Sequence, residues 1–180
     1  MKKYLSKLSR TQQIIILFAV LSLGFIYYFS KGALPVQKDA VTVNVQKTDK
    51  GETVIQIQDK NSEEIAKDFP LNMSENDMRD VIHQMSHQKV VADKKWGAIP
   101  LTNKRVNRLL EVVKENQANY INTDVYYGIL KRWAKGDFSR ADEDHNAIWS
   151  LQKGTVGKAD GLASSKEERD FIEENFKVKQ

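Results

Sequence analysis

Histidines carry the clearest potential for chemistry in this sequence of 180 residues, which contains three of them and no cysteine. Two of them, His83 and His87, form an H-x-x-x-H pair in a segment with helical periodicity. That spacing places both rings on one side of a helix, as a zinc site requires. Gln84 stands where H-E-x-x-H metalloproteases have a glutamate base. On a helical wheel the pair lies opposite the apolar stripe, which more often indicates solvated side chains or a contact with a neighbouring helix.

The third histidine, His145, is expected to be at least partly buried, because it shares a helix face with Ala141 and Ile148. With Asp144 beside it, His145 could act as a general base or a metal ligand. A hydrogen-bonded core residue is the commoner role for a buried histidine. The sequence by itself predicts no catalytic residue, metal or cofactor. If a metal is bound, the candidate ligands are His145, Asp144, His83 and His87, and a separation of the three rings above about 10 Å excludes a shared ion.

Other potential motifs are weaker. The segment Gly154–Lys158 resembles a phosphate loop but lacks G-x-x-x-x-G-K-[ST] and a preceding strand. The acidic run Asp142–Asp144 lacks the order of ligands in an EF-hand, and no G-x-S-x-G elbow is present. A basic patch on the second predicted helix is expected to be a solvated face, with contact to lipid headgroups or a wall polymer as the alternative. Its members are Lys104, Arg105 and Arg108.

Residues 71–176 are predicted to fold as an all-α bundle of about five short helices. The first has an apolar stripe with i, i+3, i+4, i+7 spacing, and the third is expected to run from about Asn119 to Lys135, with Gly136 as its C′ residue. Trp133 is expected in the core near Phe138. Four residues are predicted to cap helix N-termini: Ser74, Thr102, Ser139 and Ser165.

The N-terminal segment predicts a membrane anchor. Residues 14–29 form an apolar run of about 24 Å as a helix, and extension to 12–30 approaches the roughly 30 Å of a bilayer core. The basic tail at 1–11 predicts a cytosolic N-terminus and an extracytoplasmic body. A cleaved signal peptide is the alternative, although the exit at Ser30–Pro35 contains no clear A-x-A site.

Residues 31–70 are predicted to form a stalk or linker. Alternating residues at Val41–Val45 and Thr53–Ile57, with turn residues between them, indicate a possible small β-hairpin. A disordered stalk is the equal alternative, because two isolated strands are marginally stable in water. The charged segment Asp59–Asp68 is expected to be a connection.

The basic character of the chain comes from its N-terminus. Five of the 28 basic residues and none of the 24 acidic residues precede Pro35, so the rest carries one more acidic than basic residue. A nucleic-acid partner is therefore not expected.

Four segments resemble a family of uncharacterised, single-pass membrane-anchored proteins from Gram-positive bacilli: Met85–Val90, Lys95–Gly97, Arg132–Trp133 with Gly136–Ser139, and Asp144–Gln152. The resemblance covers about residues 70–176. It implies a Gram-positive envelope setting, and it implies no activity, cofactor or catalytic residue.

We therefore expect a membrane-anchored, extracytoplasmic binding or structural module that is not an enzyme. Its expected partners are the lipid bilayer, through 12–30, and an unknown envelope protein or a second copy of itself. The alternative is a metal-dependent or acid–base enzyme centred on His145.

Overall fold

The computed structural model describes residues 40–47 and 53–179, with side chains from 59 to 176. Six helices follow one another along the chain: α1 (Ser62–Asp68), α2 (Glu75–Ser86), α3 (Asn103–Glu115), α4 (Thr123–Trp133), α5 (Ala141–Leu151) and α6 (Ser165–Asn175). The prediction of a mostly helical domain is confirmed, with one more helix than expected and with small sheets in addition. Within the described ranges no helix has the length and apolar character to cross a bilayer. The predicted anchor at 12–30 lies outside those ranges.

Five short strands form two sheets: β1 (Ala40–Lys47), β2 (Thr53–Gln58), β3 (Val90–Ala92), β4 (Ala159–Leu162) and β5 (Lys177–Lys179). The predicted hairpin is present as the antiparallel pair β1–β2, in which Val43 faces Ile57. On its other edge β1 pairs in parallel with β5, so that Ala40 faces Lys177. Strands β3 and β4 form a separate antiparallel pair.

The apolar core lies among helices α1 to α5. The stripe predicted on α2 is buried, and Trp133 is buried with its ring centroid 6.3 Å from that of Phe138, as expected. The Trp133 indole also donates a 3.0 Å hydrogen bond to Asp144 Oδ2. Helix α1 contributes Ile65 to this core and is followed by buried Phe69. The core thus contains residues of the segment 31–70, which the sequence assigned to a stalk.

Most helix starts follow from the capping residues. The side chains of Ser74 and Thr102 accept backbone N–H bonds at the first turns of α2 and α3, as predicted. Two predicted caps are wrong. The capping box of α6 is formed by Ser164 with Glu167, one residue before the predicted pair. Helix α5 starts without a side-chain cap, because the Ser139 hydroxyl donates to Asp137 instead.

The predicted basic patch is a solvated face only in part, because Lys104 is exposed, Arg108 is partly buried and Arg105 is buried. Arg105 is 2% exposed, and its guanidinium donates to both Asp59 carboxylate oxygens, at 2.6 and 2.9 Å. The ammonium of Lys104 donates to the Lys60 carbonyl, and the Arg108 guanidinium donates to the Phe69 carbonyl. These basic residues of α3 hold the segment that includes α1, which the sequence treated as a connection.

Candidate metal site

Two packed helices bring all three histidines of the sequence together. His83 lies on α2, His87 is the C-cap residue one turn later, and His145 lies on α5, which packs against α2. The ring centroids are 4.5 Å apart for His83 and His145, 4.9 Å for His83 and His87, and 5.5 Å for His87 and His145. One potential ligand nitrogen from each ring lies within 4.8 Å of the others. We call these three residues the histidine cluster.

The Nδ1 atoms on the α2 side of the histidine cluster are both bonded to oxygen. His87 Nδ1 lies 2.8 Å from the Gly97 backbone carbonyl, which can only accept a hydrogen bond. His83 Nδ1 lies 2.5 Å from Gln152 Oε1. The amide orientation of Gln152 is set independently, because its Nε2 donates to Asp80 Oδ1 at 2.6 Å. Both rings therefore carry their proton on Nδ1, which leaves the Nε2 lone pair available.

The same tautomer is favoured at His145. Its Nδ1 lies 3.2 Å from Asn146 Oδ1. The backbone fixes the amide of Asn146, because Asn146 Oδ1 accepts from the Ala159 N–H at 2.8 Å and its Nδ2 donates to the Ala159 carbonyl at 3.0 Å. Strand β4 thus fixes the Asn146 amide, which in turn orients the His145 ring. Such hydrogen bonds to the second ring nitrogen accompany metal-binding histidines in general.

The consequence is a contact between two nitrogen lone pairs. His83 Nε2 and His145 Nε2 are 2.9 Å apart. If a proton lies between them, one ring must become a cation or give up its Nδ1 proton and face an oxygen acceptor with a lone pair. A cation bound to both nitrogens removes that conflict. On a tetrahedral zinc with Zn–N distances of 2.0–2.1 Å, two ligand nitrogens lie about 3.4 Å apart. The nitrogens of His83 and His145 would therefore move slightly apart, and the His87 ring would move inward by roughly 1–1.5 Å to join them.

Burial keeps the histidine cluster in the neutral form that binds metals. His145 is fully buried and His87 is 2% exposed. The pKa of each is lowered to about 4, mainly by desolvation, with repulsion by neighbouring groups including Lys95 as a smaller cause. The pKa of His83 is also lowered, again mainly by burial. At neutral pH all three rings are therefore uncharged bases.

Asp144 does not belong to the histidine cluster. Its carboxylate accepts hydrogen bonds from the Arg132 guanidinium and the Trp133 indole. Burial raises the pKa of Asp144, and these bonds offset the effect only in part. Of the candidates, the structure thus brings together His83, His87 and His145. Asp80 acts indirectly, because its carboxylate accepts from the Gln152 amide that bonds to His83. No motif indicated Asp80, although its position three residues before His83 places it on a neighbouring surface of α2.

A cleft of about 400 Å³ lies beside the histidine cluster. His83 and His87 line it, together with the loop at 94–97 and the segment at 152–157. The two segments meet at Gly157, which has φ +81° and where a Cβ would lie 2.5 Å from the Lys94 carbonyl oxygen. Gly154 packs against the Trp149 indole so closely that no side chain fits there. The two glycines therefore allow the close packing that shapes this cleft.

The segment 82–173, just over half of the chain, matches the model of a protein family, and the histidine cluster lies within it. The expectation of an uncharacterised family is thereby confirmed. No curated protein and no solved structure matches the chain. By its match from the end of α2 to within α6, the chain belongs to the family of unknown function DUF6241.

Proposed function

We propose that this domain binds one divalent transition-metal ion, with zinc as the first candidate, through His83, His87 and His145. One observation carries the proposal: two buried imidazoles and one partly buried imidazole converge while the Nδ1 atom of each is hydrogen-bonded to an oxygen. Nitrogen ligands of this kind suit zinc, copper, nickel and iron, and disfavour calcium and magnesium.

Three protein ligands, rather than four, favour a site at which the ion also binds water or a substrate. Structural zinc sites have four protein ligands, whereas catalytic sites have three and a further position for water or substrate. Among the described side chains, the group with metal-binding geometry contains the three histidines and no carboxylate. His83 is partly exposed, and both His83 and His87 line the cleft. A bound ion would therefore have its remaining coordination positions toward the cleft.

Metal binding can be tested on the full chain, purified in detergent with a tag that contains no histidine. Because the sequence has three histidines, any imidazole–metal signal reports this site. We expect one equivalent of zinc by elemental analysis, and cobalt absorption bands typical of nitrogen coordination. His83→Gln, His87→Gln and His145→Gln should each weaken binding at least about 10-fold. The exposed residue Glu143, changed to Gln on the same helix as His145, is the matched control.

If cobalt and zinc bind no more tightly to the wild type than to the triple histidine variant, the proposal is wrong. The histidine cluster would then be a hydrogen-bonded packing feature. That result would favour the prediction of a binding or structural module whose partner is an envelope protein or a second copy of the chain.

We also propose that residues 12–30 anchor the domain in a bilayer and that the metal site lies outside the cytosol. The excess of basic residues before the apolar run supports this orientation, as does the resemblance to anchored proteins of Gram-positive bacilli. A reporter that is active only outside the cell should work when fused after Gln180. Activity of a reporter that works only in the cytosol would reverse the proposed orientation.

A further inference from the structure

The cleft beside the histidine cluster has two aromatic side chains in its lining. Trp96 lies in the loop at 94–97 and is 68% exposed, while Trp149 on α5 is partly buried. The Trp149 indole N–H donates to the Val156 carbonyl at 2.8 Å, so this ring is fixed in place. An exposed indole ring is stabilised when a ligand covers it, and it packs best against flat or apolar groups. A cleft of about 400 Å³ has the size of a small-molecule site.

Both walls of the cleft are tied to the metal ligands. The carbonyl that accepts from His87 belongs to Gly97, the residue after Trp96. The amide that accepts from His83 belongs to Gln152, at the start of the opposite wall. A ligand held between the walls would therefore lie next to an ion on the histidine cluster.

The charges around the cleft favour an anion. Lys94 and Lys153 line it. Among the described residues, Asp80 is the one carboxylate in the lining, and it already accepts a hydrogen bond from Gln152. A divalent ion on three neutral imidazoles would add two further positive charges.

We propose that the cleft binds a small organic oxyanion, with its flat or apolar part against Trp96 and Trp149 and one anionic oxygen on the metal held by the histidine cluster. This inference rests on the proposed metal site. Lys94 and Lys153 pair with the remaining anionic charge at the rim. The shared chemistry is an oxyanion on a ring, whether that oxyanion is a carboxylate or a phosphate.

The test uses the full chain loaded with cobalt, with benzoate and phenyl phosphate as probes. Both should change the cobalt absorption and quench tryptophan fluorescence in a saturable way. Benzyl alcohol, which has the ring but no charge, and acetate, which has the charge but no ring, should each bind at least about 10-fold more weakly. Whichever of the two probes binds more tightly identifies the natural ligand as a carboxylate or a phosphate.

Two variants test whether the tryptophan and the lysines of the cleft contribute to ligand binding. Trp96→Ala alters an exposed side chain, and the double variant Lys94→Gln/Lys153→Gln alters the rim. Each should weaken the binding of benzoate and phenyl phosphate at least about 5-fold, read from the cobalt spectrum, without loss of cobalt. Lys114→Gln/Lys135→Gln, at two exposed lysines outside the cleft, is the matched control and should leave probe binding unchanged.

The outcomes separate this inference from the proposed function. If cobalt binds but neither probe changes the spectrum or the fluorescence, the ligand inference is wrong and the metal site stands. Equal binding of acetate and benzoate would exclude a role for the tryptophans. If cobalt itself does not bind, both proposals are wrong.

Discussion

Two buried polar centres in this domain are built in opposite ways. At the Asp59–Arg105 pair, a carboxylate receives hydrogen bonds from Arg105 and from the Thr102 hydroxyl, and the opposite charges cancel. Burial alone would raise the pKa of Asp59, but these bonds and the Arg105 charge outweigh it and lower the pKa. In the histidine cluster, three neutral bases face one another, and the close nitrogen atoms of His83 and His145 have no donor between them.

In the Asp59–Arg105 pair the buried polar groups satisfy one another, whereas the histidine cluster needs a ligand to satisfy its nitrogen atoms. The Asp59–Arg105 pair satisfies its groups within the protein and fastens the chain before α1 to α3. The histidine cluster uses its protein partners to orient the rings and leaves their metal-binding atoms facing one another. Buried polar groups that are oriented but not mutually satisfied are expected where something else binds.

The largest expected effect concerns the Asp59–Arg105 pair. Arg105→Met leaves a buried carboxylate without its partner and should lower the free energy of unfolding by about 3–5 kcal/mol. The metal-free variant His145→Gln should lose only about 1–3 kcal/mol, because it removes a neutral group. Urea denaturation with a common m-value measures both. A larger loss in His145→Gln would invert the comparison, and the double variant Asp59→Leu/Arg105→Met, which removes both charges, should recover most of the loss.

Zinc should stabilise only through the histidine cluster. At a free zinc concentration 100 times the dissociation constant, the free energy of unfolding should rise by about 2.7 kcal/mol. Arg105→Met should show the same increment from its lower baseline, since its site is intact, whereas His145→Gln should show none. Thermal unfolding with and without zinc measures the increments. An equal increment in His145→Gln would place the bound ion elsewhere.

The histidine cluster and the Asp59–Arg105 pair should lose their contributions to stability at different pH values. The histidines of the unfolded chain have their ordinary pKa of 6.5, whereas His87 and His145 in the fold have a pKa of about 4. Below pH 6.5 the unfolded chain binds more protons, so stability falls as the pH drops from about 6.5 toward 4, by about 1.4 kcal/mol per pH unit for each such group. Asp59 has a lowered pKa, so its contribution is lost only below its ordinary value of 3.8.

Metal-free urea denaturation at pH 7, 6 and 5 checks the acid effect. His87→Gln should flatten the profile, while the control Glu143→Gln should leave it unchanged. A wild-type profile that is flat from pH 7 to 5 would mean that the histidines are not held neutral.

The smallest effect concerns the cleft wall. Lys153 has φ +56°, a left-handed conformation that costs an L-residue roughly 1–2 kcal/mol and costs glycine little. Lys153→Gly should therefore raise the free energy of unfolding by about 1 kcal/mol while it weakens anion binding. Lys158→Gly, at an exposed residue whose φ is not positive, is the control and should not stabilise. If both substitutions stabilise the protein, the gain does not come from the left-handed backbone conformation of Lys153.

Local signals in the sequence predicted much of the fold. Helix α2 has both a cap at Ser74 and a regular apolar stripe. Helix α4 is present but shorter at both ends than predicted, and Gly136, with φ +73°, lies two residues after its C-cap Ala134. Helix α1 was missed because Ile65 is its one buried residue, too few for a periodic pattern. Arg105 was assigned to a solvated face because its partner Asp59 lies far away in the sequence.

The site was predictable only in part, for a related reason. The helical wheel placed His83 and His87 off the apolar stripe of α2, and it placed His145 on a buried face of α5. A wheel gives the direction of a side chain relative to its own helix and does not show which helix lies opposite. The convergence of the three rings depends on the packing of α2 against α5, which no local pattern encodes.

The parallel pairing of β1 with β5 has a consequence for the order of folding. Ala40 and Lys177 are neighbours in the sheet but lie almost the whole domain apart in sequence. A ribosome that has made the hairpin β1–β2 must still synthesise every helix before β5 exists, so this edge of β1 stays unpaired during synthesis. Contacts of such long sequence separation form slowly, and an unpaired strand edge can recruit another chain. Closure of this sheet is therefore expected to be a late event in folding. The nascent chain is expected to be most prone to aggregation before β5 pairs with β1.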